Sequence, residues 1–256
     1  MKKIILVSSV VFIFSCKNSS TDQLATQNDV TYPENVSKVF VAHGGMDTWG
    51  SFEQLNFEIE KPDGNDFYKV SLGNRKSLIR SNHHELGFDG KNVWLKNLDT
   101  VQYKRNPKFY YNLMFYFYAM PFVLGDDGIN YKDVEPLNYQ GVSYPGVLIS
   151  YNAGIGESPE DEYILYYHPE THKMSWLAYT VTYFSKEKSK KFNLIRYDDW
   201  ENVAGVDLPS SIQWHHYNDG EIGDVRNEVN FVKSSLSKTA ADELVFKVPD
   251  STMIVK

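Results

Sequence analysis

The chain has one cysteine in 256 residues. An internal disulfide is therefore excluded, and the fold must rest on its apolar core. It has no excess of basic charge, because 26 Lys and Arg stand against 33 Asp and Glu for a formal net charge of −7. Nucleic acid wants a basic face, so that class of partner is disfavoured. No second long apolar run follows residues 4–14, which argues against a protein with several helical membrane spans. No internal repeat of fixed period is visible, which leaves out solenoids and propellers. What the chain has in abundance is aromatic side chains: they make up 15% of it, and 18 of them are Tyr.

Met1-Lys2-Lys3 is a short basic stretch, and residues 4–14 (IILVSSVVFIF) are apolar. That run is too short for a bilayer, which takes about 20 residues, and fits a secretory signal. It leads into Ile13-Phe14-Ser15-Cys16, which resembles the lipobox of bacterial lipoproteins, where the Cys thiol is acylated and becomes the mature N-terminus. The expected organisation is a signal peptide over 1–15, a polar tether over 16–30 and a single domain over 31–256. Lys17 to Asp29 (KNSSTDQLATQND) has the composition of a flexible linker. β-rich single domains commonly reach 200–250 residues. Acylation would anchor the chain to a membrane. Position 17 is Lys and the tether has no strong acidic cluster, so the periplasmic face of the outer membrane is the expected location, ahead of the cell surface.

Val36, Val39, Phe40 and His43 recur at helical spacing. Thr31 and Glu34 are placed for a capping box, and Gly44-Gly45 for a stop. A further turn over 46–52 carries Trp49, expected in the core or at its rim. Strand patterns follow. Leu55, Phe57 and Ile59 alternate with polar residues, and turn chemistry at Pro62-Asp63-Gly64 and Asp89-Gly90-Lys91-Asn92 separates short strands. Further β-like runs include Val147 to Tyr151, Tyr163 to Tyr167, Met174 to Phe184, Phe192 to Tyr197, Ile212 to Tyr217 and Val225 to Val232. The fold expected is mainly β (α+β), a large curved antiparallel sheet.

Chemistry is harder to find. His83-His84 and His215-His216 are neighbours on strand-like segments, so each pair points to opposite faces and cannot chelate one ion. His168 and His172 are four apart, but Pro169-Glu170-Thr171 makes the interval a turn. The acid pairs Asp126-Asp127, Asp161-Glu162 and Asp198-Asp199 sit among turn residues and read as solvated. Ser143 lies in Gly-Val-Ser-Tyr-Pro, which breaks the nucleophile-elbow pattern at its second Gly. No catalytic residue, metal or cofactor is expected.

The remaining signal is residues 109–122, FYYNLMFYFYAMPF. Read as one helix, Phe109, Leu113, Tyr116, Phe117 and Met120 share a face, while Tyr110, Met114 and Tyr118 lie around the side. A helix apolar nearly all round is buried on more than one side. Core cover and ligand lining are both open, and a helix plugging a curved sheet does both.

The helix ending at Gly44-Gly45 before Trp49, the turn Gly87-Phe88-Asp89-Gly90-Lys91 leading to Trp94, the hairpin Tyr167-His168-Pro169-Glu170-Thr171 and the step Tyr197 to Ile212 (YDDWENVAGVDLPSSI) together resemble the lipoprotein-carrier half-barrel superfamily (LolA/LolB-like). Within it the chain is most similar to exported bacterial lipoproteins that share the Gly-Gly-x-x-x-Trp feature. The resemblance spans residues 36–232. It implies an unclosed half-barrel with helices across its mouth and an apolar cavity for acyl chains. Phe109, Leu113, Tyr116, Phe117 and Met120, with Trp94 and Trp176, are the expected ligand-binding residues. A branch of the superfamily uses an exposed apolar loop tip, which no loop here shows plainly. The reading that follows is a non-catalytic, lipid-anchored envelope protein that binds an apolar ligand or a lipidated protein. A packed interaction or sensor protein and a hydrolase are the alternatives.

Lipidation has a direct test. Cys16→Ser is expected to move the protein from the membrane to the soluble fraction; unchanged fractionation of the variant would refute acylation at Cys16.

Overall fold

Short polar turns between strands permit only antiparallel neighbours, and the chain folds accordingly. A computed structural model describes residues 31–152, 158, 160–218, 220–250 and 252–255. The expected signal peptide, tether and acylated Cys16 lie outside the described residues. Tyr32–Lys256 forms one unit. Two helices, α1 (Glu34–Ala42) and α2 (Met46–Gly50), precede five strands: β1 (Gln54–Ile59), β2 (Asp66–Ser71), β3 (Ser77–Arg80), β4 (His84–Phe88) and β5 (Val93–Asn97). The aromatic strip forms α3 (Pro107–Tyr110) and α4 (Leu113–Tyr118). Seven strands follow it: β6 (Ile129–Tyr139), β7 (Val142–Tyr151), β8 (Tyr163–Tyr167), β9 (Met174–Tyr179), β10 (Asn193–Val203), β11 (Val206–Asn218) and β12 (Glu221–Ser237). A short β13 (Met253–Ile254) completes the set.

The strands make one sheet in the order β13-β5-β4-β3-β2-β1-β12-β11-β10-β9-β8-β7-β6. Its edges, β13 and β6, do not meet, so the sheet is an open half-barrel. β12 joins its two halves: Glu221–Asn230 pairs with β11, and Phe231–Ser237 pairs with β1. The pairing of β12 with β1 is broken by a bulge opposite Asn56 and Glu58, and Lys233 there takes φ 54°. Bulges bend a strand and raise its local twist, so the longest strand is also the bend of the sheet.

The expected alternation in β1 holds, with Leu55, Phe57 and Ile59 buried and Asn56 and Glu58 less so. They belong to the main core, which lies between the sheet and the helices. Smaller clusters cover the other face, one around Trp176 and Leu194 and one around Trp94 and Phe246.

Three local expectations are corrected. Pro33, not Thr31, caps α1, and no side-chain cap bond forms. Glu34 is the first helical residue, too early to close a capping box, and instead pairs with Lys38 at 2.7 Å. The strand expected over Met174 to Phe184 stops at Tyr179. Beyond it Thr180 and Thr182 turn inward: Thr180 Oγ1 accepts from the Glu162 amide at 2.9 Å, and Asp161 accepts from the Thr182 amide and hydroxyl at 2.6 and 2.7 Å. Side-chain bonds of this kind compete with the ladder. The strip is two short helices instead of one. Between them Tyr111 turns into the core against Phe88, at 5.0 Å between rings, while Phe109 and Tyr110 stay half-buried.

The expected stop after α1 is confirmed. The Gly45 amide bonds back to the Phe40 carbonyl at 2.9 Å. Gly44 has φ +106°, and a Cβ there would lie 2.3 Å from the Gly205 carbonyl oxygen. Only glycine allows the helix end to seat against the β10–β11 hairpin. His43 is sealed at this seat. Its Nδ1–H donates to the Val39 carbonyl at 2.8 Å, and its ring meets Trp200 edge-on at 4.4 Å.

Burial lowers the His43 imidazole from its ordinary 6.5 to about 4; nearby Lys173 pushes the same way and the Val39 carbonyl opposes. A lowered folded value means that the unfolded chain takes up the proton first. This contribution is therefore complete above about pH 6.5 and lost as pH falls towards 4, on the order of 3 kcal/mol in all. Urea midpoints measured across that window should fall less steeply for His43→Gln than for the native chain. Equal slopes would show that His43 carries no proton linkage.

Candidate ligand-binding site

The strip enters the half-barrel at a graded depth. Its second half is solid core. Phe122 stacks on Trp49 at 4.7 Å, and Tyr118 lies between Phe57 at 4.3 Å and Phe231 at 4.4 Å. Met120 and Val123 are fully enclosed. Backbone this deep needs partners for its polar groups, and hydroxyls from other segments supply them. Tyr197 donates to the Phe117 carbonyl at 2.9 Å, Tyr131 to Leu124 at 2.6 Å and Tyr32 to Gly125 at 2.9 Å. Burial pushes all three phenols above their ordinary value, so they remain donors.

The first half of the strip stays at the mouth. Phe109, Tyr110, Leu113, Met114 and Tyr116 are half-buried, and three grooves surround them. The first groove, about 340 Å³, is lined by Phe109, Leu113, Tyr116 and Phe117 opposite Tyr151 and Tyr163. The second, about 640 Å³, takes Phe109, Leu113 and Phe117 again and sets them opposite Tyr68, Trp214 and Val229. The third, about 420 Å³, lies along Tyr110, Met114 and Tyr103. The two short helices therefore stand as a partition in the mouth. Each volume falls in the range of small-ligand sites, about 300–1,000 Å³.

Part of the polar lining of the first groove is engaged with the protein. The Arg75 guanidinium donates to both Asp126 oxygens at 2.6 and 2.8 Å and covers the Phe115 ring at 5.2 Å. Asp126 is nonetheless held above the usual carboxylate range by burial, against the pull of Arg75. Asp161 is raised by burial too, with the Thr182 bonds opposing.

Four of the seven sequence-expected lining residues are brought together here: Phe109, Leu113, Tyr116 and Phe117. Met120, Trp94 and Trp176 do not line the grooves. Met120 is in the solid half of the strip. Trp94 and Trp176 belong to the clusters on the opposite face of the sheet, because their strand neighbours Val93, Leu95 and Leu177 take the inward positions. Trp94 lies flat over Gly87, where a Cβ would come within 2.3 Å of the indole, and donates to the Phe246 carbonyl at 3.2 Å. The Arg196 guanidinium covers Trp176 at 4.9 Å. Trp49, expected in the core or at its rim, is core.

An exposed apolar loop tip does exist. Phe184, read in the sequence as the end of a strand, is 66% exposed on the segment after β9, with its ring 5.1 Å from Phe109. The early end of β9 puts it there, and the Lys-rich run that follows was the available signal. Tyr151, Tyr163 and Trp214 were also missed as lining, although each sits on a strand that the sequence pattern marks.

Several histidines have structural partners. His84 Nε2 lies 2.8 Å from the Val101 carbonyl, His83 Nδ1 2.6 Å from Asp99, and His215 Nδ1 2.8 Å from the Gly223 carbonyl. His215 is buried and His216 exposed, as strand neighbours should be. The His172 amide bonds to the His168 carbonyl at 2.9 Å, which closes the expected turn. Among the described residues no group of three or more His, Cys, Asp or Glu is placed to hold a metal ion. Ser143 is exposed on β7, and Asp198 accepts from Arg196 at 2.6 Å. No helix of the described residues is long and apolar enough to cross a membrane.

No protein-family model and no curated protein matches the chain. Solved structures similar to it include a LolA superfamily protein from Nitrosomonas europaea, with 11% identity and a TM-score of 0.44 over 76% of this chain and 88% of that one. A DUF1329 family protein from Desulfovibrio piger has 9% identity and a TM-score of 0.48 over 83% and 95%. The lipoprotein LppX from Mycobacterium tuberculosis has 10% identity and a TM-score of 0.26 over 58% and 88%. Likenesses at these identities concern the fold alone. The chain itself has the open antiparallel half-barrel with helices in its mouth that the sequence motifs imply.

Proposed function

We propose that this protein is a non-catalytic, lipid-anchored component of the cell envelope that holds an apolar or lipid-like ligand, such as acyl chains, in the mouth of its half-barrel. Residues 31–256 would be the binding domain, 16–30 its tether and Cys16 its anchor at the periplasmic face of the outer membrane. One observation carries the reading: Phe109, Leu113 and Phe117 line open grooves on both sides, while the residues just after them are packed solid. A stable core gains nothing from unfilled apolar grooves. An entering chain gains about 0.8 kcal/mol for each CH₂ it buries there. The engaged polar groups of the first groove ask nothing of such a ligand.

A second reading is favoured by the exposed Phe184 beside Phe109, which suits a contact with a protein partner. The two readings separate on a small-molecule measurement. The native protein should take up the apolar dye N-phenyl-1-naphthylamine, and Leu113→Glu should weaken uptake about tenfold with an unchanged melting temperature, as a charge placed in an apolar groove must. Protein isolated from its own envelope should also carry acyl-chain mass. A native protein that neither takes up the dye nor carries such mass would leave only the partner reading.

A further inference from the structure

We infer that the second groove selects an amphiphile with one alkyl chain and an anionic head, carboxylate or phosphate. This rests on the reading that the mouth takes an apolar chain, and adds the chemistry of its polar end. Three cations from separate segments converge on that groove: Lys61 after β1, Arg105 before α3 and Arg226 on β12. None of them is in an ion pair among the described residues. Arg105 is held over the Tyr110 ring at 5.0 Å, and Arg226 has a long bond of 3.4 Å to Asn193. Two carboxylates share the groove. Glu228 accepts from Gln213 at 3.3 Å, Glu60 is exposed, and among the described residues neither is within 4.0 Å of a cation. Asp66, in the adjoining third groove, feels the charges of Lys61 and Arg105 but forms no ion pair with them within 4.0 Å among the described residues.

The contrast with the first groove is what makes this selective. There Arg75 is taken by Asp126, and the remaining cation, Lys108, shares the groove with the carboxylates of Asp127 and Asp161. In a chain of net charge −7, cations without ion pairs beside an apolar wall are the feature an anionic head would find. Guanidinium groups bind carboxylate and phosphate with paired, charge-assisted hydrogen bonds. The alkyl chain would lie along Leu113, Phe117 and Trp214, where the partition and the sheet face each other.

Displacement of N-phenyl-1-naphthylamine by four dodecyl compounds tests this: dodecanoate, dodecyl phosphate, dodecanol and dodecyltrimethylammonium. Both anions should displace the dye at concentrations about tenfold or more below dodecanol, and their ratio distinguishes a fatty acid from a phospholipid-type ligand. Arg105 and Arg226 are both exposed, so Arg105→Gln with Arg226→Gln should fold normally, checked by its melting temperature. The double variant should bring the anions within about threefold of dodecanol, whose own binding stays unchanged. Each single variant should give part of the loss. Lys108→Gln, in the first groove, should keep the full preference. Equal binding of dodecanoate and dodecanol, a preference for the ammonium compound, or a preference that survives the double variant or disappears in Lys108→Gln would overturn the inference and leave apolar binding standing. A native protein that takes up no dye at all would fail the underlying reading instead.

Discussion

Irregular backbone buried inside a half-barrel must find hydrogen-bond partners, and this requirement governs the molecule. A regular strand bonds to its neighbours, but a segment that crosses the concave face has none beside it. Residues 117–125 do this with carbonyls bonded to Tyr197 on β10, Tyr131 on β6 and Tyr32 ahead of α1. These donors come from widely separated parts of the chain, so they fix the depth of the strip from several directions at once. The high tyrosine content acquires a physical reason, since a phenol fills a core with its ring and still delivers a donor at its tip.

Fixing the depth also fixes the division of labour along the strip. From Tyr118 onward the rings meet stacked or tilted neighbours and leave no room. Before it, the kink at Tyr111 releases α3 to the rim, where Arg105 and Tyr183 meet its outer side chains. The grooves are thus a consequence of where the tyrosine bonds stop. A helix held along its whole length would have sealed the mouth, and one not held at all would have left the core of β1 and β12 open to water.

The sequence made the sheet legible because period-2 burial in strands such as β1 is written directly into residue order. The helix stop at Gly44-Gly45 and the turn at His168 were legible for the same local reason. The strip was legible as a buried helix, but not as two, since the break depends on Tyr111 finding Phe88 across the core. Trp94 and Trp176 are core as their sequence suggests, but on the far face of the sheet, because an aromatic residue marks burial without marking a face. Trp94 stands between Val93 and Leu95, which give the alternation no polar reference, and Trp176 stands between Ser175 and Leu177, which point it two ways. Phe184 escaped because the strand before it is ended by Asp161 and Glu162, residues some twenty positions earlier. Long-range side-chain bonds of this kind leave no periodic trace.

An open sheet has two edges as well as a mouth, and the edges are poor places for a partner. β6 carries Lys132, Asp133 and Glu135 along its middle, and its pairing with β7 breaks between Val134 and Leu137, around Pro136. Charges, proline and bulges are the devices that keep an edge strand from templating another chain. At the opposite edge β13 is only two residues long. The outer face is closed by its own clusters around Trp176 and Trp94, each covered by an arginine or by the C-terminal segment. With edges blunted and the outer face filled, the mouth is a large apolar surface left unfilled among the described residues, and it is where the aromatic strip, the exposed Phe184 and the cations without ion pairs all stand.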